Sequence, residues 1–159
     1  MDKKPLFAAL LKQLTDEFTV VKAAAAAARE GATHEEAKPE NQYDTRALEQ
    51  SYLAGAQTAR AESLGQAVAS IELFQPPVLG EDDPIRVGAA VVVDDGEHTR
   101  RYLLCDFGGG TKMEVDGDRW WVITPSSPLG RTLIGRRVGD VVERRVRQET
   151  VSLEILEVY

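Results

Sequence analysis

A helix-breaking stretch set between two long helical patterns limits this chain more than any other feature. Arg29 to Glu49 carries Gly31 and Pro39, the first tolerant of a left-handed cap and the second without an N–H to donate. Thr33 and Glu36 have the spacing of a capping box, and Asp44 is placed as the N-cap of a following helix. Before the break, Leu10, Leu14, Phe18, Val21, Ala25 and Ala28 recur at helical spacing from Pro5 to Glu30. After it, Leu48, Tyr52, Ala56 and Ala59 form one stripe, and Ala61, Leu64, Val68 and Ile71 continue it with a shift of phase. The run Ala23–Ala28 adds propensity with little bulk, so a partner helix can approach closely there. The expectation is an antiparallel helical hairpin ending near Gly31 and resuming near Asp44, with Gly55 and Gly65 at close helix contacts. Glu35, Glu36, Glu40 and Asp44 crowd its turn.

Beyond Gln75-Pro76-Pro77 the apolar period changes from that of a helix to that of a strand. Ile85, Val87, Ala89, Val91 and Val93 alternate as a half-buried strand, and Asp95-Gly96 is a hairpin turn into a return strand from Arg100 to Asp106. Gly108-Gly109-Gly110 reads as a second hairpin turn, followed by strands over 111–115 and 119–124. Of the neighbours Trp120 and Trp121, one should face the core and the other lie nearer the surface. Ser127 as N-cap, Pro128 as first helical residue and Gly135 beyond the end bracket a two-turn helix over 128–134. Strands over 141–147 and 150–158 close the pattern. The fold class is therefore α+β: a two-helix arm over 1–75, a linker over 76–84, and an antiparallel sheet with one short helix over 85–159.

Charge and composition narrow the function. The net charge of −7 over 159 residues argues against autonomous nucleic-acid binding by phosphate neutralisation. The single Cys105 suits a reducing, cytoplasmic setting, and no apolar run is long enough to span a membrane. Asp106-Phe107-Gly108 and Gly108-Gly109-Gly110-Thr111-Lys112 are coincidental matches to a kinase triplet and a phosphate loop, since their surrounding elements are missing. His34 and His98 sit in separate halves, which leaves no zinc or dyad arrangement. The tip carboxylates are the remaining chemical group. Oxygen ligands of this kind suit Mg²⁺, which keeps positions open for a second ligand set. A tip of this composition can complete a metal site in another protein.

Three stretches resemble the bacterial Gre transcript-cleavage factors, the GreA/GreB family. They are Glu40-Asn41 with Gln50 beyond it, Thr124 to Gly135, and the closing segments Val138–Glu143 and Glu154–Tyr159. The resemblance implies a coiled-coil arm and a C-terminal domain of FKBP-like fold. It implies RNA polymerase as the partner, with docking at the secondary channel through Ser126, Ser127 and Pro128. Glu36 and Glu40, with Glu35 as a substitute, would then share Mg²⁺ with the polymerase in the complex. That would stimulate the polymerase's own hydrolysis of backtracked RNA. The factor would have no intrinsic cofactor, would not be an enzyme by itself, and is expected to be monomeric. Ala37 stands where the family carries its first tip acid, with Glu36 beside it. Two alternatives stay open: a channel-binding regulator that does not promote cleavage, and an FKBP-like peptide-binding module with Tyr102, Phe107, Trp120 and Trp121 available to line a pocket.

Overall fold

The computed structural model describes residues 1–33, 45–80, 82–146 and 149–159. Two compact units emerge: Met1–Leu10 with Leu73–Tyr159, and Leu11–Glu72. Residues 76–84 lie within the first unit.

The helical unit holds most of α1 (Lys4–Thr33) and α2 (Thr45–Leu73). Val21, Ala25 and Ala61 are buried together, with Phe18 and Leu64 against them. Partners on α2 fall in number as those on α1 rise, from Phe18 beside Gly65 to Arg29 beside Ala54 and Gly55, so the helices are antiparallel. The α1 seam follows the expected spacing, with Leu10, Leu14, Val21 and Ala25 buried. The first half of the α2 stripe does not. Leu48 and Tyr52 are exposed, at 57% and 72%, and Ala54 is the buried residue instead. In a helix rich in small residues on several faces, periodicity alone does not choose the stripe that meets the partner.

Gly65 does lie at a close contact, since an added Cβ would stand 3.2 Å from the Phe18 ring, whereas Gly55 has open space around it. Gly31 is an ordinary helical residue rather than a cap, and α1 continues to Thr33. The Arg60 guanidinium donates to Glu17 at 2.6 Å across the pair; being exposed, this bridge contributes little to stability.

The other unit is built on a sheet of six strands among the described residues, in the order β3-β4-β2-β1-β6-β5. The strands are β1 (Ala90–Asp94), β2 (Thr99–Leu104), β3 (Lys112–Val115), β4 (Asp118–Ile123), β5 (Val141–Val146) and β6 (Glu149–Val158). A short helix, α3 (Pro128–Leu133), lies between β4 and β5 in sequence. The α+β class holds, with one correction to the sheet: β2 and β4 pair in parallel, so the sheet is mixed. Gly108-Gly109-Gly110 is therefore not a hairpin turn. It begins a crossing in which β3 passes to the far side of β4 before the chain returns along β4.

The expected first strand is also shorter. Ile85 to Ala89 is irregular, with Ile85 N–H bonded to Arg136 O and Gly88, at φ +88°, turning the chain into β1. Within β1, Ala90 and Val92 are as buried as Val91 and Val93. The strand is central and covered on both faces, which removes the alternation expected of a half-buried strand.

One face of the sheet carries Val91, Val93, Tyr102, Leu104, Val142, Leu153 and Ile155, joined by Leu129 and Leu133 of α3. Trp121 and Ile123 pack against this cluster, whereas Trp120, their alternate neighbour, is 3% exposed and points to the opposite face. In the same unit Phe7, Phe74 and Phe107 form a ring chain, with centroids 5.3 and 5.8 Å apart. Lys3 reaches Pro77 O at 2.6 Å and the main-chain oxygen of Tyr159 at 2.9 Å, joining residues at both ends of the sequence.

Candidate docking surface

The turn from Thr124 to Gly130 is held by its own polar groups. Ser127 is extended at φ −66° and ψ 154° and caps α3, its Oγ accepting from Gly130 N–H at 3.0 Å. The same hydroxyl donates to Thr124 O at 2.7 Å. Pro128 occupies the first helical turn, where no N–H is needed. Gly130 is demanded by close approach: a Cβ there would lie 1.9 Å from Thr124 O. Arg131 folds back to donate to Ser126 O. Leu129 and Leu133 anchor the helix in the core, at 6% and 0% exposure. With those residues turned inward, Ser126 and Pro128 are left exposed beside the half-buried Ser127. The three residues named from sequence thus share one turn, in which Ser126 and Pro128 are exposed and Ser127 is engaged as the cap.

Next to this turn lies a cleft of about 850 Å³ between α3, the sheet face and β5. Tyr102 and Trp121, register neighbours in the parallel β2–β4 pair, form part of its lining with ring centroids 6.1 Å apart and tilted by 45°. Ile123, Pro128 and Leu129 add apolar surface, and Arg144 and Arg145 add charge from β5. Of the four aromatic residues available to a pocket, Phe107 packs on Phe74 and Trp120 is buried elsewhere, so neither contributes. Arg144 escaped the sequence reading. Its signal was its position two residues beyond Val142, which is buried in the cluster on this sheet face; alternation turns Arg144 the same way.

Glu35, Glu36 and Glu40, with Ala37 and Asp44, lie outside the described residues. Among the described residues no three His, Cys, Asp or Glu gather in a way that could hold a metal ion. Cys105 is fully buried, and that burial pushes its thiol up to about 11, which leaves it protonated and unreactive at neutral pH. No helix among the described residues is long and apolar enough to cross a membrane.

Comparison with known proteins places this chain in a family. The family described as transcription elongation factor GreA/GreB, C-terminal part, matches residues 80–159. The transcription elongation factor GreA of Thermomicrobium roseum is 25% identical over 130 residues, which cover 82% of this chain and 77% of that protein. Among solved structures, GreA factor homolog 1 of Thermus thermophilus is 18% identical, with 94% of each chain covered and a TM-score of 0.38. Gfh1 of Thermus aquaticus is 16% identical, with 96% of this chain and 95% of that one covered and a TM-score of 0.40. The family match takes in the whole sheet, α3 and the Ser126–Pro128 turn, and the chain belongs to the GreA/GreB family of transcription elongation factors.

Proposed function

We propose that this protein is an accessory factor of bacterial RNA polymerase, acting in the cytoplasm. In this reading the sheet unit docks at the secondary channel through Ser126, Ser127 and Pro128, and the helical arm enters the channel. The observation that carries it is the family match over a segment whose Ser126 and Pro128 are exposed on a turn that the fold does not need for its core. Glu36 and Glu40, with Glu35 as a substitute, are the tip carboxylates. Their donor chemistry fits Mg²⁺, which takes oxygen ligands. Glu36 and Glu40 would hold that ion jointly with the polymerase's carboxylates, where it would supply a bound water of lowered pKa for the hydrolysis of backtracked RNA. The role of this chain is to supply ligands and position them; the polymerase supplies the reaction centre.

A second reading keeps the docking and drops the cleavage. It is favoured by Ala37, which removes one tip acid from the family pattern. A single set of assays on stalled transcription complexes separates the two. Wild type is expected to stimulate transcript cleavage, Glu40→Ala to reduce the stimulation by an order of magnitude or more while still binding polymerase, and Pro128→Glu to lose binding. Cleavage unchanged by Glu40→Ala refutes the tip assignment, and polymerase binding unchanged by Pro128→Glu refutes the docking turn. Binding without stimulation at any Mg²⁺ concentration establishes the regulator.

A further inference from the structure

The strand β3 ends the sheet on the side away from β5, and among the described residues it pairs with β4 and with no other strand. Its ladder fixes which main-chain groups are left over. The Val122 N–H donates to Thr111 O at 2.9 Å, in line with the register that sets Met113 against Trp120 and Val115 against Asp118. Main-chain groups alternate in direction along an antiparallel strand, so Thr111, Met113 and Val115 turn theirs toward β4. Lys112 and Glu114 turn their N–H and C=O groups outward, away from the sheet. Such a row is a template on which a further strand can be laid.

The side chains of the same two residues carry opposite charge. Both are exposed and share one face of the strand, while Met113, at 5% exposure, turns to the other. Neither makes an ion pair among the described residues, although Arg119 stands opposite Glu114 on β4. A lysine on a sheet edge ordinarily discourages a second strand. Here the spacing cancels that effect for one kind of partner. An antiparallel copy that matches outward groups to outward groups can set Lys112 against its own counterpart, Glu114 against its own counterpart, or Lys112 against Glu114. The first two registers oppose like charges directly, which is destabilising. The third, centred on Met113, sets each Lys112 beside a Glu114, and each such pair exchanges two main-chain hydrogen bonds. A partner strand must therefore read base, any residue, acid in its own direction, as β3 does. A second copy of the chain supplies that pattern by two-fold symmetry.

We propose that β3 is a self-association edge, where two copies of the chain pair antiparallel about Met113 through reciprocal Lys112–Glu114 contacts. The two sheets then continue as one. The strand has 4 residues and is about 14 Å long at about 3.4 Å per residue. An edge of that length buries far less than the roughly 1,200–2,000 Å² of a stable interface, so the association is weak and reversible, with a Kd on the order of 0.1–1 mM. Dilute protein is then the monomer expected from sequence, and concentrated protein pairs. The contact does not use the Ser126–Pro128 turn, and the proposal stands independently of the polymerase reading.

The test is sedimentation of the full chain from about 10 μM to about 1 mM, a range that brackets a Kd of that order. Wild type is expected to pass reversibly from monomer to dimer, and to do so less at about 1 M salt, where exposed charges are screened. Lys112→Glu and Glu114→Lys should each weaken association at least about tenfold, because each sets like charges opposite one another at both contacts. Mixing these two variants should restore it, since one copy then presents two acids and the other two bases. Lys112→Glu with Glu114→Lys in one chain should restore it as well. Recovery on mixing also shows that the single variants are folded. Wild type that stays monomeric at about 1 mM, single variants that associate as wild type does, or a mixture that fails to recover overturns the proposal. So does association that survives both single variants and is lost in Val141→Glu, at the exposed start of β5, since the contact then lies at the other edge. Because no polymerase is present, these outcomes are independent of the docking result for Pro128→Glu.

Discussion

Gly130 shows how much a single residue position can require. The capping hydroxyl of Ser127 reaches Gly130 N–H only because the chain folds so tightly that Thr124 O occupies the space a side chain would take. Gly130→Ala must push that carbonyl aside and loosen both bonds of Ser127. A loss of about 1–3 kcal/mol or more is expected, the range of overpacked sites, read from urea unfolding. Ser127→Ala removes the cap without a clash and should cost about 0.5–2 kcal/mol. A Gly130→Ala variant as stable as wild type would mean that the turn has room the geometry does not show.

At the level of elements, the arm separates residues that share a chemical type. Leu14 and Leu48 are both leucines on helical stripes, yet Leu14 is 2% exposed and Leu48 is 57% exposed. Leu14→Ala should cost about 2–5 kcal/mol, as for other buried leucines. Tyr52→Ala, at a position 72% exposed, should stay within about 0.5 kcal/mol. Phe18 is only half-buried, against Gly65 and beneath the Lys22 ammonium, which lies 5.6 Å from the ring centroid. Its truncation should fall below the roughly 3–5 kcal/mol of a fully buried phenylalanine. Thermal unfolding of the three variants tests the assignment, and a Tyr52→Ala loss as large as that of Leu14→Ala would contradict it.

On the scale of the whole molecule, Lys3 draws residues from both ends of the sequence into one unit. Its side chain is 7% exposed and donates to Pro77 and Tyr159. Burial, and then the nearby Arg86 charge, lower its pKa from 10.5 to about 8. The folded protein therefore releases this proton at a lower pH than the unfolded chain. Between about pH 8 and 10.5 the unfolded state holds more protons, so the Lys3 contribution to stability rises with pH. It is fully present above about 10.5 and lost as pH falls through about 8. Unfolding measured across this window should show wild type gaining on Lys3→Met as pH rises. A flat difference would mean that the two oxygen acceptors keep the ammonium charged despite its burial.

Local chemistry determined a large part of this protein before any tertiary contact was considered. The α1 seam, the α3 bracket of Ser127 and Pro128, the Asp95-Gly96 turn and the division of labour between Trp120 and Trp121 all depend on neighbours within a few residues. Helical period, capping and strand alternation are properties at that range. The Ser126–Pro128 turn was legible for the same reason, because a cap and a proline mark a helix start wherever they occur. Long-range pairing decided the rest. Gly108-Gly109-Gly110 has the composition of a hairpin turn, but β4 competes for the edge of β2 and takes it in parallel, and turn composition carries no information about that competition. The parallel pairing sets Tyr102 beside Trp121, and the placement of β5 brings Arg144 to the same cleft, more than twenty residues away in sequence. Likewise Leu48 and Tyr52 have the apolar character of a seam, but which stripe of α2 is buried depends on where α1 lies. A cleft assembled from β2, β4, α3 and β5 exists only once the strand order is set, because its residues share no local signal.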